Sequence, residues 1–264
     1  MAEIQHLQQV ILSIIKDIDA LCRENGISYY LLGGSAIGAI RHKGFIPWDD
    51  DLDIIMTNEN YTRFIEICRT RLNPDKYCLQ VGLEDWPMNF SKVRLKGTCI
   101  QEFDEFVPAN GCRGIYIDVF KMDEVSGNPL IGRFQYFCAK CYLCYQLSRR
   151  KYDDAGLKKK LMIWASFPLK IGFLRRFCIR QIEKYNGKET PYWGFFYGRT
   201  RWKSAVIGKA IYGEPCDVPF EDTMLPVPEH YHQYLTQVFG DYMKLPPIEQ
   251  QVGLHVISID FGKY

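Results

Sequence analysis

Three aspartates set two residues apart, Asp49, Asp51 and Asp53, stand among Leu52, Ile54, Ile55 and Met56. On an extended chain, side chains two apart share a face. Asp51 and Asp53 therefore point the same way while Leu52 and Ile54 turn to a core. Parallel carboxylates a few ångströms apart repel, and they sit together only if one is protonated or a divalent cation lies between them. Upstream, Leu31-Leu32-Gly33-Gly34-Ser35 reads as a strand, a tight turn and a helix start. Such a turn offers backbone N–H groups and a positive helix end to a phosphate. A phosphate cradle followed by paired carboxylates equips a chain for phosphoryl or nucleotidyl transfer. An EF-hand reading from Asp49 fails, because it puts Ile54 where glycine is required and Asn60 where glutamate is required.

Several elements must hold these residues. Apolar Ile4, Leu7, Ile11, Ile14, Ile18 and Leu21 recur at three- and four-residue spacing and predict an amphipathic helix ending near Asn25-Gly26. Residues 27–32 read as β, 35–41 as a short helix, 42–50 as a loop and 51–56 as the aspartate strand. Asn58 reads as the N-cap of a helix over 59–72, whose core face holds Tyr61, Phe64, Ile65 and Cys68. Residues 77–81, 90–95, 99–103 and 114–120 read as strands; the last alternates cleanly and carries Asp118 between apolar neighbours. Residues 130–150 are helical, and 156–184 are helical with a break near Pro168 and Gly172. Residues 217–228 are extended and proline-punctuated, and 229–239 form a short helix ended at Gly240.

The 264 residues are 47% hydrophobic and 24% charged, enough for a sizeable core in one large or two small domains. The net charge is +2 but is unevenly spread. Residues 140–203 hold sixteen Lys or Arg against four acids, +12, so the rest of the chain carries −10. That asymmetry predicts a surface that meets something anionic. Lys158-Lys159-Lys160, Trp164, Phe167, Lys170, Phe173 and Arg175-Arg176-Phe177 read either as an interfacial stretch on an anionic bilayer, spanning 157–184, or as core helices with a solvated basic edge. No recognised nucleic-acid module is present, so no nucleic-acid partner is expected. Ten scattered cysteines and no secretory signal predict a reduced, cytoplasmic setting, at most associated with the inner face of the membrane. The longest apolar run, 161–174, is broken by Pro168 and Lys170, which excludes a transmembrane span there.

The glycine turn followed by Asp51-x-Asp53 resembles the nucleotidyltransferase-fold signature. Within it, the stretch LLGGSAIGAIRHKGFIPWDDDLDI is similar to the LicD family of phosphotransferases, which includes bacterial phosphorylcholine transferases and is related to fukutin. The likeness extends to Lys92-Val93-Arg94, Gly114 to Phe120, Val218-Pro219-Phe220-Glu221 and Phe239 to Pro247, with His255 downstream. The resemblance implies an α/β (α+β) nucleotidyltransferase-like fold: a mixed sheet flanked by helices, with a basic, largely helical insertion. It implies one domain over 1–264, with a core over 1–125, the insertion over 126–200 and a returning part over 201–264.

It further implies a CDP-alcohol donor such as CDP-choline, and transfer of phosphocholine or a similar phospho-alcohol to a hydroxyl of a glycan or its lipid-linked precursor. Asp51 and Asp53 would bind one or two Mg2+ ions, or Mn2+ in their place. Asp118 would complete the metal site or act as general base. Gly33, Gly34 and Ser35 would hold a donor phosphate, and Arg41, Lys92 and Arg94 would neutralise the pyrophosphate or the leaving CMP.

Trp48 stacks on a base or wedges the loop. Asp49 reaches the metal if the strand starts early. Glu221 holds a loop or contacts substrate, and His255 reads as a packing residue. Cys138, Cys141 and Cys144 form C-x-x-C-x-x-C, but zinc needs four ligands and the segment reads as a helix with buried cysteines. Tyr185, Tyr192, Trp193, Tyr197 and Trp202 could cage a quaternary ammonium or belong to the core. Rival readings are a nucleotidyltransferase using an NTP, a non-catalytic membrane-surface protein of the same fold, and a structural Ca2+ site at the aspartates.

Overall fold

The computed structural model describes residues 2–102, 111–149, 156–198, 200–253 and 256–264, with backbone alone at 2, 158, 159, 162 and 163. His255 and Phe103 lie outside the described residues. The described chain divides into two compact units. One is built from residues up to 121 and from 211 onward, the other from 122–210.

The first unit opens with α1 (Ala2–Glu24), whose Leu7, Ile11, Ile14 and Ile18 are all buried, as their spacing predicts. Then follow β1 (Tyr30–Leu31), α2 (Gly33–His42), β2 (Asp53–Thr57), α3 (Asn58–Arg71), β3 (Tyr77–Gln80), β4 (Ser91–Leu95), β5 (Cys99–Glu102) and β6 (Tyr116–Val125). The sheet order is β1-β2-β6-β4-β3. Val93 and Ile117 pair across β4 and β6 and point to the buried apolar side.

Three local expectations change. The aspartate strand begins at Asp53, not Asp51, so Asp51 sits on the segment leading into it. The N-cap of α3 is Thr57, whose hydroxyl accepts the Asn60 N–H at 3.3 Å, and Asn58 is the first helical residue. β6 runs five residues beyond Phe120, because Asp123, Glu124 and Val125 pair antiparallel with residues 192–194 and Met122 and Val125 are buried.

β6 leads into the second unit. It contains α4 (Pro129–Ser148), α5 (Leu157–Ala165), a 3-10 turn (Phe167–Lys170), α6 (Gly172–Glu183), β7 (Tyr192–Gly194), α7 (Trp202–Ala205), β8 (Val206–Gly208) and the start of α8 (Lys209–Tyr212), which crosses back to the first unit. The break expected near Pro168 and Gly172 is this 3-10 turn. Val125, Cys138, Ala139, Tyr142, Cys178, Ile182 and Phe196 form its core. Part of the aromatic run 185–202 is spent on packing and on acids: Tyr197 OH donates to buried Asp123 at 2.6 Å and Trp193 Nε1 donates to Glu124 at 3.0 Å, while Tyr192 is exposed. Trp202 packs edge-on to Tyr136.

The chain then returns to the first unit. β9 (Cys216–Phe220) and β10 (Thr223–Val227) form a hairpin, followed by α9 (Tyr231–Phe239), a 3-10 turn (Ile248–Gln250) and β11 (Val256–Asp260). β11, which no alternation in the sequence announced, pairs antiparallel with β5. Among the described residues no helix is long and apolar enough to cross a membrane.

Candidate active site

The site begins at the N-terminus of α2. Gly33 adopts φ +59°, which only glycine takes without strain. A Cβ on Gly34 would lie 2.7 Å from Asp49 Oδ2, so any side chain there would displace that carboxylate. The Ser35 hydroxyl accepts the Asp53 N–H at 2.9 Å, and Leu32 N–H donates to Asp53 O at 2.9 Å. The glycine turn and the aspartate strand are thereby locked edge to edge. The Gly33 amide faces the buried hydroxyl of Tyr234 on α9.

The loop between α2 and β2 is held from three sides. Lys43 ends α2 in a left-handed conformation at φ +57°. Its carbonyl accepts Glu221 N–H at 2.7 Å, and Glu221 Oε1 accepts Phe45 N–H at 3.0 Å. Gln8 on α1 donates to the carbonyls of Ile46 at 3.0 Å and Asp49 at 2.9 Å. A Cβ on Gly38 would lie 2.4 Å from Gly44 O. Glu221 is thus a loop-holding residue. Trp48 meets His42 edge-on at 6.4 Å.

This loop delivers the acids. Among the described residues, the carboxylates whose oxygens converge to within 4.8 Å of one another are Asp49, Asp50 and Asp51. Asp50 is turned toward the last strand: its Oδ2 accepts Val256 N–H at 3.2 Å. Burial, then Asp51 and Asp50, push Asp49 up to about 8, and Asp49 shares a hydrogen bond with Asp51. Burial, then Asp51, Asp118 and Asp49, hold Asp53 well above the ordinary carboxylate range, opposed only in part by Lys92.

Asp118 enters from β6, anchored by its N–H to Leu52 O at 3.0 Å. Directly opposite on β4 stands Lys92, its register partner. The Lys92 ammonium lies 3.2 Å from Asp118 Oδ1, 3.6 Å from Glu102 Oε1 and 3.2 Å from the centre of the Tyr116 ring. Burial pushes Asp118 up to about 6; Lys92 opposes this, and Glu102 and Asp51 add to it.

Gly33, Gly34, Ser35, Asp51, Asp53, Asp118 and Lys92 therefore meet at one place. Arg41 and Arg94 make their hydrogen bonds to other groups. Arg41, at the opposite end of α2, donates to Tyr242 O at 2.8 Å. Arg94 is buried, donating to Gln80 at 2.8 Å and Gly114 O at 3.0 Å. Glu102 was missed in the sequence: it accepts from Tyr116 OH at 2.5 Å and faces both Lys92 and Arg94. Its only sequence signal is an acid two residues after buried Ile100 on a short strand.

Hard carboxylate oxygens that raise one another's proton affinity are the donor set of a divalent cation such as Mg2+, which would relieve the repulsion that Lys92 relieves in part. The cysteine motif has no such convergence. Among the described residues no cysteine joins a group of metal-ligating atoms, and Cys138 is a buried thiol pushed up to about 12 by burial and by Cys178.

A family model described as the LicD/FKTN/FKRP nucleotidyltransferase domain matches residues 26–128. The lipopolysaccharide cholinephosphotransferase LicD of Haemophilus influenzae is 31% identical over 94% of this chain and 94% of its own length. Uncharacterised proteins of Rickettsia typhi and Rickettsia prowazekii are 43% and 45% identical, over 20% and 18% of this chain and 18% of each of theirs.

Proposed function

The chain belongs to the LicD family, and on that premise we propose that it transfers phosphocholine, or a closely similar phospho-alcohol, from a CDP-alcohol to a hydroxyl of a lipopolysaccharide-type glycan or its lipid-linked precursor. The observation that carries this reading is the meeting of the Gly33-Gly34-Ser35 turn with Asp49, Asp51, Asp53 and Asp118. A relative named as a cholinephosphotransferase and matched along nearly the whole chain supports the choice of group transferred.

The new bond joins the acceptor oxygen to the phosphorus that carries choline. The bond from that phosphorus to the bridging oxygen breaks, and CMP leaves with the electron pair. When bound, Mg2+ supplies positive charge to the donor pyrophosphate and to the oxygens that gain charge in the displacement. Asp51 and Asp53 would hold it, and Asp49 would join them once ionised. The N-terminus of α2, opened by Gly33 and Gly34, receives a donor phosphate oxygen. Asp118 takes the proton of the acceptor hydroxyl. A carboxyl at about 6 is mostly ionised at neutral pH yet more basic than a free aspartate, the range a general base needs. Lys92 holds Asp118 in place and keeps it charged. Arg41 and Arg94 act on the scaffold rather than on the donor.

The test is product analysis with purified protein, CDP-choline, Mg2+ and a lipo-oligosaccharide acceptor. CMP and choline-bearing acceptor appear together with the wild type and fall by at least about a thousandfold with Asp51→Asn, in line with loss of charge stabilisation at the transferred group. Release of pyrophosphate from a nucleoside triphosphate, with CDP-choline untouched, would establish the nucleotidyltransferase rival instead.

A further inference from the structure

The second unit exposes what a folded helical layer ordinarily buries. On α4, Leu130, Arg133, Phe134 and Phe137 are exposed; on α5, Leu157, Lys160, Leu161 and Trp164; on α6, Phe173, Arg176, Phe177 and Arg180. Each set has the spacing i, i+3, i+4, i+7, which is one stripe of an α-helix. Each stripe has an apolar residue at i, a cation at i+3 and an apolar residue at i+4. Leu130 is 80% exposed, Trp164 77% and Phe173 66%, so these side chains have no cover among the described residues. The opposite face of α4 and α6 supplies the buried Cys138, Tyr142, Cys178 and Ile182, so the stripes are not a misplaced core.

The stripes adjoin. The rings of Phe134 and Phe177 lie 6.4 Å apart, joining α4 to α6. Between α5 and α6 the 3-10 turn adds exposed Phe167, with the Lys170 ammonium 4.9 Å from its ring centre, and exposed Ile171 follows. The basic stretch read from the sequence covered 157–184. The structure adds the first half of α4 and the repeated stripe.

We infer that α4, α5, the 3-10 turn and α6 form a monolayer-insertion face that docks this protein on an anionic lipid bilayer. Charge selects the occupant. These four elements hold nine Lys or Arg and one acid, Glu183. A second copy of the chain would bring the same cations against them, a like-charge contact that costs affinity. A zwitterionic or purely apolar partner leaves the cations at i+3 without a role. An anionic headgroup layer above acyl chains meets both: aromatic and aliphatic side chains enter the boundary, and Lys160, Arg133, Arg176 and Arg180 reach the phosphates.

The test is flotation of the full chain with vesicles of phosphatidylcholine containing one third phosphatidylglycerol, against pure phosphatidylcholine. Binding is expected to be at least ten-fold stronger on the anionic vesicles and to weaken as salt is raised. Phe134→Glu with Phe177→Glu, and separately Arg176→Glu with Arg180→Glu, should each reduce it at least ten-fold. The replaced side chains are exposed, so an unchanged melting midpoint shows that the fold survives. Vesicles with brominated acyl chains quench the tryptophan emission of bound protein, and Trp164→Phe removes most of that quenching. Failure to float with anionic vesicles overturns the inference. So does binding that neither pair of substitutions weakens, or a dimer in sedimentation that the two Phe→Glu changes dissolve. The readout is binding, so the outcome does not depend on turnover.

Discussion

Lys92 is the most consequential single side chain outside the aspartates. It is buried and faces Asp118, Glu102 and the Tyr116 ring. Lys92→Met leaves two acids in a low-dielectric site without their cation, and breaking a buried pair from one side costs roughly 3–5 kcal/mol. Urea denaturation at neutral pH measures it; a loss below about 1 kcal/mol, the level of a surface pair, would mean the ammonium is not holding these acids. The aspartates themselves make a pH prediction. Asp49 is pushed up to about 8 from an ordinary value of 3.8. Between those values the folded chain holds a proton that the unfolded chain has lost, so metal-free stability falls as pH rises toward 8. On the proposed function, Mg2+ would bind the ionised cluster and restore that loss. The rise in melting temperature on adding Mg2+ is therefore larger above pH 8 than below pH 6, and equal rises at both would separate the cation from these acids. That Asp51, Asp53 and Asp118 stand together was legible because acids on apolar, alternating segments have no bland reason to be there. The hydrogen-bond partners of Arg41 and Arg94 were not, since a cation beside a motif looks the same whether it faces substrate or a backbone carbonyl. Glu102 was not, because its partners come from β4 and β6 and pairing across strands leaves no mark within β5.

At the scale of elements, the loop between α2 and β2 decides where the acids stand, and it is fixed from outside itself. Glu221, at the turn of the β9–β10 hairpin, accepts Phe45 N–H through its carboxylate and donates its own N–H to Lys43 O. Glu221→Ala leaves the Phe45 N–H without its acceptor at a cost of about 1–3 kcal/mol. Because the loop carries Asp49 to Asp51, turnover drops as well, by roughly ten-fold for a small misplacement of the reacting groups. Glu221→Gln keeps an acceptor oxygen and should recover most of both losses; kinetics and denaturation of the two variants side by side check this, and equal damage in Gln and Ala would argue that charge, not positioning, is what Glu221 provides. Gly38→Ala acts on the same loop from α2, where a Cβ would meet Gly44 O at 2.4 Å, and should destabilise by about 1–3 kcal/mol through overpacking. The helices of this unit were legible from three- and four-residue periodicity, and the glycine turn from its composition. β11 was not, because its exposed residues pair at an edge and carry no clean alternation. Asn58 was read as a cap because asparagine favours that position, but Thr57, one residue earlier, has the free hydroxyl and takes it.

At the scale of the molecule, the acids and the exposed basic stripes belong to different compact units, each with its own core. The sequence showed this division as charge, since the segment 140–203 carries +12 within a chain of net +2, but charge alone does not say which strand ends one unit and begins the other. β6 does both, and a long strand reads as one element in the sequence. Ligands that bind only the native state stabilise by mass action, about 2.7 kcal/mol at a hundredfold excess over Kd. For a chain of this size that is a rise of roughly 5–10 °C in the midpoint of the unit that binds. CDP-choline with Mg2+ is expected to raise the transition of the unit that carries Asp51, Asp53 and Asp118, and Asp53→Asn should abolish the rise. Calorimetry of the full chain reads this directly. If the units melt in two steps, only one step moves with the donor. Anionic vesicles should move the other, because the stripes on α4, α5 and α6 lie in the second unit. A donor that shifted the vesicle-sensitive step, or a shift that survived Asp53→Asn, would place the nucleotide away from the aspartates and remove the chemical reading of that site.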